Sequence, residues 1–259
     1  MLLPTWHNVF STNESGMSRT ATRTFDLFEA VVRSAVPLGL MDIAEATGVD
    51  KSTAQRLLTF LVEREMLARD DAKRYGPGSG AFALAATIGA RSDLRTVVAP
   101  IMRELRDASG ETVSLHLAVG SRRVCVDGLE SPAVIRRVVP LGDSLWLHEG
   151  PSGKAILAYL PEPRVEEVLD EAGVKRVDRK HVRDDLERMR TDGILATEGD
   201  RSAGVRAVSG AIFDVRGVTA SLTVAGPADR FTAEDADKVG VRMLRATDDI
   251  SRSLGGRRP

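Results

Sequence analysis

The chain has 259 residues, of which 42% are hydrophobic, 28% are charged and only 4% are aromatic, and its formal net charge is −1. This balance is typical of one or two globular domains, and it excludes a general attraction to nucleic acid, so any basic surface must be local. Cys125 is the only cysteine, which excludes an intrachain disulfide and fits a reducing compartment. The sequence shows no apolar run of roughly 18 residues and no secretory signal pattern, so we expect a cytoplasmic protein.

The N-terminal part of the chain predicts three helices followed by a two-stranded wing. Apolar residues at helical spacing place the helices at residues 22–35, 41–47 and 51–64. Gly48 ends the second helix as a residue free to take positive φ, and Asp50 is the expected N-cap of the third. The next stretch, LARDDAKRYG, has a polar middle between apolar ends, which is typical of a wing. This order predicts a winged helix-turn-helix domain over residues 19–78, behind a disordered tail over 1–18 in which Met17 is an alternative translation start.

The third predicted helix has the composition of a DNA-reading helix. Its N-terminus offers free backbone N–H groups and a positive dipole end, which favour a phosphate. Glutamine and arginine one turn deeper suit bidentate readout of adenine and guanine in the major groove. The candidate DNA contacts are Lys51, Ser52, Thr53, Gln55 and Arg56 in this helix, and Arg69, Lys73 and Arg74 in the wing. The residues that would let the two helices pack closely are Ala44, Gly48, Ala54 and Leu57.

A plainer interpretation stays open for the same helix, namely a capped and solvated helix of a structural subdomain. Residues 51–78 carry six basic and four acidic side chains, a net charge of only +2, so charge hardly separates the two interpretations. A DNA reader would lose sequence preference if Gln55 and Arg56 were replaced by alanine, since each lost bidentate contact costs about 1–3 kcal/mol. An interaction module would show no change in DNA binding.

The rest of the chain predicts an α+β domain joined to the first by a helix. An Ala-rich stretch predicts a linker helix within residues 79–94, and apolar positions predict a helix over 95–109 that opens a domain covering 95–254. Short β-branched stretches predict strands at TVSLHLAV, RRVCVDGL, AVIRRVV, VRAVSGAIFD and VTASLTVAG. Further helices are predicted over 152–160, 162–172, 181–191 and 232–253. These elements predict a mostly antiparallel sheet with helices, followed by a disordered tail over 255–259.

Motifs of catalytic and metal sites are incomplete in this sequence. HEGPSGKA has His148 where a phosphate-binding loop needs glycine, and Ala155 where it needs serine or threonine. Ser202 in GDRSAG lies one residue too far from the preceding glycine for a nucleophile elbow. The histidines show no metal-ligand spacing, and we interpret His116 and Cys125 as packed strand residues rather than a ligand and a nucleophile. An enzyme is therefore the weaker class, and a sensor that does not contact DNA is a third.

Three stretches together resemble the IclR family of bacterial transcriptional regulators. They are GVDKSTAQRLLTFL with RYGPG, LHEGPSGKAILAYL, and DGILATEGDRSAGVRAVSGAIFDVRGVTASLTVAGP, and the likeness runs from about residue 19 to 254. The second stretch is similar to the family's LHASAxGKAxLA element. The resemblance implies an N-terminal winged helix, a C-terminal GAF-like effector domain, and dimers or tetramers. It also implies a small organic effector that changes affinity for operator DNA, no metal or redox cofactor, and no enzymatic activity.

The resemblance also implies an effector pocket between the GKA element and the sheet. Carried over position by position, its lining would be Leu145, Pro151, Ser152, Thr197, Ala207, Thr223 and Ala225, with Trp146 as a candidate wall. Ser152 stands at the mouth of a helix expected to start near Gly153, where it is either a helix cap, a ligand contact or both. Threonine and alanine replace more polar residues at three of these positions, which predicts a less polar pocket and a larger, possibly aromatic, acid as effector.

Overall fold

The computed structural model describes residues 19–90 and 93–259, and the chain divides into two units between Ser92 and Asp93. The disordered tail predicted over residues 1–18 lies outside the described residues. Among the helices that are described, none is long and apolar enough to cross a membrane.

The first unit has three helices, a two-stranded antiparallel wing and a fourth helix. The elements are α1 Arg19–Arg33, α2 Leu40–Thr47, α3 Lys51–Glu63, β1 Leu67–Arg69, β2 Tyr75–Pro77 and α4 Ser79–Ala90. The wing is extended on one side by Leu38, whose backbone exchanges two hydrogen bonds with Tyr75, at 2.9 and 2.7 Å. This order confirms the predicted winged helix-turn-helix.

The helix-turn-helix packs as its sequence predicts. Gly48 has a φ of 66° and turns the chain sharply after α2. The buried face of α3 consists of Ala54, Leu57, Leu58 and Leu61. These side chains join a core whose other buried members are Leu27, Val31, Ile43, Val49, Leu67 and Tyr75. Since the four α3 positions recur at spacings of three and four residues, the opposite face of α3 is left to solvent.

The second unit is built on a six-stranded antiparallel sheet with helices on both faces. Its strands are β3 Thr112–Val119, β4 Arg122–Leu129, β5 Ser144–Trp146, β6 Ile194–Glu198, β7 Val205–Asp214 and β8 Gly217–Pro227. Its helices are α5 Asp93–Ser109, α6 Gly150–Leu157, α7 Glu162–Glu171, α8 Arg176–Asp192 and α9 Ala233–Ser253. The strand order is β5-β4-β3-β8-β7-β6. The predicted α+β class with an antiparallel sheet is confirmed.

Alternation along the strands gives the sheet two different faces. One face carries Val113, Leu115, Val208, Leu222 and Val224, which are buried with side chains of α5 and α9. The opposite face is covered at one end by α6, α7 and α8, which form a second core cluster with the strand residues Ala211 and Phe213. At the other end of this opposite face the strands carry small and polar residues. The pocket described below lies there.

The segment AVIRRVV, predicted to be a strand, is irregular, and that prediction was wrong. Val134 and Ile135 are 95% and 75% exposed, so the apolar side chains do not pack on the sheet. The segment is held by single hydrogen bonds rather than by a ladder, because the Thr112 hydroxyl donates to the Arg137 carbonyl and Arg230 donates to the Ile135 carbonyl.

The C-terminal tail, predicted to be disordered, is held against the second unit instead. Gly255 forms a bridge with Asp214, and the Gly256 N–H donates to the Ser251 carbonyl at 2.8 Å. The Arg258 guanidinium pairs with Asp248 at 2.8 Å. A glycine- and arginine-rich tail predicts disorder from its composition. These contacts could not be predicted in this way, because they depend on residues that only the tertiary fold brings near.

Candidate DNA-binding and effector-binding sites

The N-terminus of α3 is polar, capped and exposed. The Asp50 carboxylate accepts a hydrogen bond from the Thr53 backbone N–H at 2.9 Å and one from the Ser52 hydroxyl at 2.8 Å. Led by the Thr53 backbone bond, these contacts lower the pKa of Asp50 to about 2, so the cap is ionised at neutral pH. The only hydroxyl proton of Ser52 is therefore engaged by the cap, and its backbone N–H is the group left to offer a phosphate.

The other predicted contacts in α3 are open to solvent. Lys51, Gln55 and Arg56 are exposed, and Thr53 is half-buried. Within residues 19–90, no hydrogen bond or ion pair engages the side chains of Lys51, Gln55 and Arg56. These three long side chains are free to meet a partner without first breaking an internal contact.

The wing presents its three predicted basic residues in different states. Lys73 lies at the tip with a positive φ of 61° and is exposed. Arg74 pairs with Asp70, with Nε and Oδ2 3.3 Å apart, and Arg69 lies over the Tyr75 ring at 5.3 Å from its centroid. Lys73 is therefore the most accessible of the three to a DNA phosphate, whereas Arg74 would first have to break its ion pair with Asp70.

A pocket of about 60 Å³ opens in the second unit beside the N-terminus of α6. It is lined by six of the eight predicted effector residues, namely Pro151, Ser152, Thr197, Ala207, Thr223 and Ala225. The strand pairing brings them together, because Ala207 lies opposite both Thr197 and Ala225 across the β6–β7 and β7–β8 ladders. The same face of β7 and β8 also holds the Ser209–Thr223 hydroxyl pair at 2.8 Å.

Two predicted residues, Leu145 and Trp146, are not part of the lining. They lie in β5 at the sheet edge, where Leu145 pairs with Arg123 and Trp146 with Arg122. The Trp146 ring is covered instead by the Arg122 guanidinium, 4.3 Å from the ring centroid. Trp146 therefore makes a cation–π contact at this edge rather than forming a pocket wall.

Ser152 lies in the first turn of α6 and does not cap it, so the cap interpretation was wrong. The N-cap residue is Glu149, which makes no side-chain cap hydrogen bond, and Gly150 turns the chain into the helix with a φ of 72°. Ser152 is buried, and its carbonyl accepts a hydrogen bond from the Ser221 hydroxyl at 2.7 Å. Its position on the pocket lining keeps the ligand-contact interpretation open.

The pocket also contains three arginines that the sequence did not lead us to expect there, Arg123, Arg137 and Arg201. They give the pocket a positive lining that the threonine and alanine positions alone did not predict. Arg123 is only 3% exposed, and burial, followed by the nearby charge of Arg201, lowers its pKa to about 10. Arg137 has its pKa lowered by burial and by Arg201 as well. The pocket is therefore lined by three basic side chains.

His116 and Ser114 complete the polar wall on β3. His116 Nδ1 lies 2.9 Å from an Arg123 Nη1 atom, and its Nε2 lies 2.9 Å from the Ser114 hydroxyl. Because the guanidinium can only donate, Nδ1 accepts, and the imidazole is neutral with its proton on Nε2. Burial, with the charges of Arg123 and Arg201, lowers the pKa of His116 well below 6.5. Alternation of TVSLHLAV could have placed Ser114 and His116 on one face.

A buried ion cluster lies beside the pocket. Lys154 Nζ donates to Asp185 Oδ2 at 2.7 Å and to both Asp200 oxygens at 2.8 Å. His181, Asp185 and Asp200 offer ligand atoms within 4.8 Å of one another, the one such group found among the described residues. The Lys154 ammonium already stands between the two carboxylates, and Arg188 also pairs with Asp185, so we interpret the group as an ion-pair cluster rather than a metal site.

Cys125 is a packed strand residue, as predicted. It is buried in β4, and burial raises the pKa of its thiol to about 11. The thiolate that nucleophilic chemistry requires is therefore scarce at neutral pH.

A second cavity, of about 720 Å³, adjoins the first. The two cavities share Gly150, Asp200 and Arg201, so the residues that follow β6 separate them. Its remaining lining comes from residues 148–149, from Lys154 and from the region 172–182. The lining of the second cavity includes none of the predicted effector residues, so the first cavity is the candidate effector site.

Family comparisons agree with both units. The family model for the C-terminal part of the bacterial transcriptional regulator IclR matches residues 86–252, and the IclR helix-turn-helix domain matches residues 20–71. The acetate operon repressor of Salmonella typhimurium is 28% identical over 254 residues, which cover 94% of this chain and 93% of that protein. The transcriptional repressor IclR of Escherichia coli is 27% identical over the same length and the same shares of each chain.

Solved structures show the same fold. The crystal structure of the Thermotoga maritima IclR has 26% sequence identity and a TM-score of 0.73, covering 91% of this chain and 98% of that one. Pseudomonas aeruginosa HmgR has 29% identity and a TM-score of 0.57, covering 92% and 99%. Both curated relatives are named as repressors rather than as enzymes, in agreement with the prediction that this chain is not an enzyme. With a winged helix-turn-helix in front of an effector domain matched over residues 86–252, the chain belongs to the IclR family of bacterial transcriptional regulators.

Proposed function

We propose that this protein is a repressor that binds operator DNA as a dimer or tetramer and changes its DNA affinity when a small organic acid enters the pocket beside α6. The observation that carries the proposal is the pairing, in one chain, of an exposed polar α3 N-terminus with a cationic pocket. Repression is the activity named for the similar proteins of Salmonella typhimurium and Escherichia coli.

For the DNA contacts, we assign different roles to the two ends of the exposed α3 surface. Lys51 and the backbone N–H group of Ser52 bind phosphates, since they stand at the positive end of the helix and the Thr53 N–H is already held by Asp50. Gln55 and Arg56 read base edges in the major groove. The wing residues Arg69, Lys73 and Arg74 hold the neighbouring backbone or minor groove, with Lys73 contributing most because it has no internal ion pair among the described residues.

For the effector, charge and size favour a small acid over the aromatic acid expected from the sequence. Three guanidinium groups line the pocket, so an anion is attracted. The pocket of about 60 Å³ is less than half of the roughly 150 Å³ cavity that accommodates a benzene ring. The acid shifts operator occupancy only through the difference in its affinity for the two states of the protein, and a 100-fold change requires about 2.7 kcal/mol of coupling.

The experiment that tests the DNA assignment is a binding titration with labelled DNA from the intergenic region beside the protein's own gene. Binding should survive scrambled competitor DNA and a rise in salt concentration, whereas charge attraction alone would not. Gln55→Ala and Arg56→Ala should each lower the preference for the operator by about 1–3 kcal/mol.

Arg64→Ala is the matched control, because Arg64 is an exposed arginine at the opposite end of α3, about 12 Å along the axis from Arg56. Its operator preference should match that of the parent protein. If the parent protein binds the intergenic DNA and the scrambled DNA equally, and salt abolishes both, the regulator assignment is refuted. A sensor that does not read DNA is then favoured.

A further inference from the structure

Two of the three guanidinium groups in the effector pocket have no carboxylate partner. Arg123 donates one hydrogen bond to the neutral imidazole of His116, and its Nε is buried without any hydrogen-bond partner. Among residues 93–259, neither Arg123 nor Arg137 has a carboxylate within 4.0 Å, while Arg201 reaches Asp143 at 3.5 Å. A buried guanidinium without a carboxylate partner is costly to fold around, so the unpartnered Arg123 Nε points to an anionic ligand.

The carboxylates nearby do not fill this gap, because they are engaged elsewhere. Asp200 lines the pocket but accepts two hydrogen bonds from Lys154 at 2.8 Å. The Glu149 carboxylate accepts the Trp146 backbone N–H at 3.1 Å. The pocket therefore holds two guanidinium groups without a carboxylate partner, and Arg123 keeps its Nη2 group for a charge-assisted hydrogen bond to a ligand.

The N-terminus of α6 adds donors next to Arg123. Gly150 packs so near that a Cβ placed on it would lie 3.9 Å from an Arg123 Nη2 atom. Glu149 makes no cap bond there, so the first N–H groups of α6 have no side-chain partner, and the Ser152 hydroxyl lies on the lining. One carboxylate of a ligand can therefore meet a guanidinium, a hydroxyl and a helix N-terminus together.

We propose that the effector is a short dicarboxylic acid of roughly two or three carbons, with one carboxylate on Arg123 and the α6 N-terminus and the other on Arg137. This rests on the proposed role of the pocket as the effector site. A pocket of about 60 Å³ holds roughly four to six water-sized groups, which fits oxalate, with six non-hydrogen atoms, better than succinate, with eight. A monocarboxylic acid of the same length leaves one guanidinium without an anion, and that difference is the basis of the selectivity.

The test is calorimetric titration of the full chain with oxalate, malonate and succinate, compared with pyruvate and propionate, and with inorganic phosphate as a further probe. At least one dicarboxylate should bind about 10- to 100-fold more tightly than the monocarboxylates, as expected for an added charge-assisted contact. Tighter binding of a monocarboxylate or of phosphate, equal binding of all acids, or no binding of any acid would overturn the proposal.

The decisive variant is Arg137→Gln, because Arg137 is only half-buried and its removal spares the buried Arg123–His116 contact. It should reduce dicarboxylate affinity to that of the monocarboxylates while leaving monocarboxylate affinity within about twofold. Arg136→Gln is the matched control, because Arg136 is the next residue along the chain but pairs with Glu130 and does not line the pocket. This variant should keep the full selectivity for dicarboxylates. Loss of selectivity in both variants, or in neither, would contradict the assignment.

Failure of this inference can be told apart from failure of the proposed regulator function. Calorimetry of the free protein reports on the pocket, whereas the operator titration reports on α3. If operator binding responds to monocarboxylates alone, the proposed regulator function stands and the proposed dicarboxylate effector is refuted. If the protein binds a dicarboxylate but does not recognise operator DNA, the ligand assignment stands and the proposed regulator function is refuted.

Discussion

His116 shows how one neutral side chain links the pocket to pH. It is 2% exposed and accepts a hydrogen bond from Arg123, and burial with two nearby arginines lowers its pKa well below 6.5. The unfolded chain therefore binds a proton near pH 6.5 that the folded chain does not. The resulting stability is fully present above about pH 6.5 and is lost as the pH falls from there towards the folded pKa.

We therefore expect the free energy of unfolding to decrease as the pH is lowered from 7 to 5. His116→Gln should make this dependence on pH less steep. Glutamine can still accept from Arg123 and donate to Ser114 but does not titrate in this range. Urea unfolding at pH 5, 6 and 7 measures the slope, which one proton limits to about 1.4 kcal/mol per pH unit. An unchanged slope in His116→Gln would contradict the prediction.

Lys154 is the residue whose loss should cost the most stability. It is 2% exposed and joins Asp185, which is 1% exposed, to Asp200. Burial alone would raise the pKa of Asp185, but hydrogen bonds from Lys154 and Arg188 lower it instead. Lys154→Met should therefore reduce the free energy of unfolding by about 3–5 kcal/mol, because it leaves two carboxylates without their shared cation.

Lys180→Met is the comparison for this change, since Lys180 also pairs with an aspartate, Asp184, but is exposed. It should leave the free energy of unfolding nearly unchanged in the same denaturant titration, because solvent screens an exposed pair. Equal costs for the two variants would mean that the buried cluster contributes no more than a surface pair.

Residue types predicted much of the pocket lining but not its charge. Thr197, Ala207 and Ala225 were carried over from one continuous motif, and the antiparallel ladders bring them together. Arg137 and Arg201 come from irregular segments between strands, so no periodicity in the sequence predicts where their side chains lie. The alternation of β4 could have placed Arg123 on the same face as Cys125, but a buried arginine is rare enough to be passed over.

At the scale of elements, α6 depends on a close approach to the turn before it. A Cβ added to Gly153 would lie 2.5 Å from the Leu147 carbonyl oxygen, a backbone atom that cannot move aside cheaply. Gly153→Ala should therefore lower the free energy of unfolding by about 1–3 kcal/mol, since overpacking outweighs the roughly 1 kcal/mol gain in helix propensity. It should also weaken acid binding, because Ser152 moves with the helix.

Gly128→Ala is the control for Gly153→Ala in the same unit. A Cβ there would lie 3.8 Å from the Val113 carbonyl oxygen, an ordinary contact, and Gly128 does not have a positive φ. Thermal unfolding of both variants compares the two sites. A Gly153→Ala protein as stable as its parent would show that α6 can shift without cost.

Long periodic elements were predicted well, and short ones that depend on partners were not. β3, β4 and β7 have the predicted bounds, and the capping box at Thr232 and Asp235 opens α9 as its sequence indicates. β5 has only three residues and was missed, because a single edge pairing rather than propensity makes it a strand. AVIRRVV has high β propensity but lacks such a pairing, which is why propensity alone failed there.

For the whole molecule, self-association is the property that the described surface supports most directly. α4 is apolar along much of its length, yet Phe82 and Leu84 are 65% and 54% exposed. Burying each such side chain in an interface contributes about 1.5–3 kcal/mol, and a two-fold contact doubles the number buried. We therefore expect α4 to take part in the dimer that places two α3 helices on two operator half-sites.

The double variant Phe82→Glu, Leu84→Glu should shift the protein towards monomer in sedimentation velocity and weaken operator binding, because linking two half-site readers raises their joint affinity by 10²–10⁴-fold. Val177→Glu with Val215→Glu is the control, since these valines are 78% and 79% exposed in the second unit, and it should change neither. A double α4 variant that sediments like its parent and binds operator equally well would place the dimer contact on another surface. Reduced operator affinity with the parent's sedimentation would instead mean that the first unit, not the assembly, had been damaged.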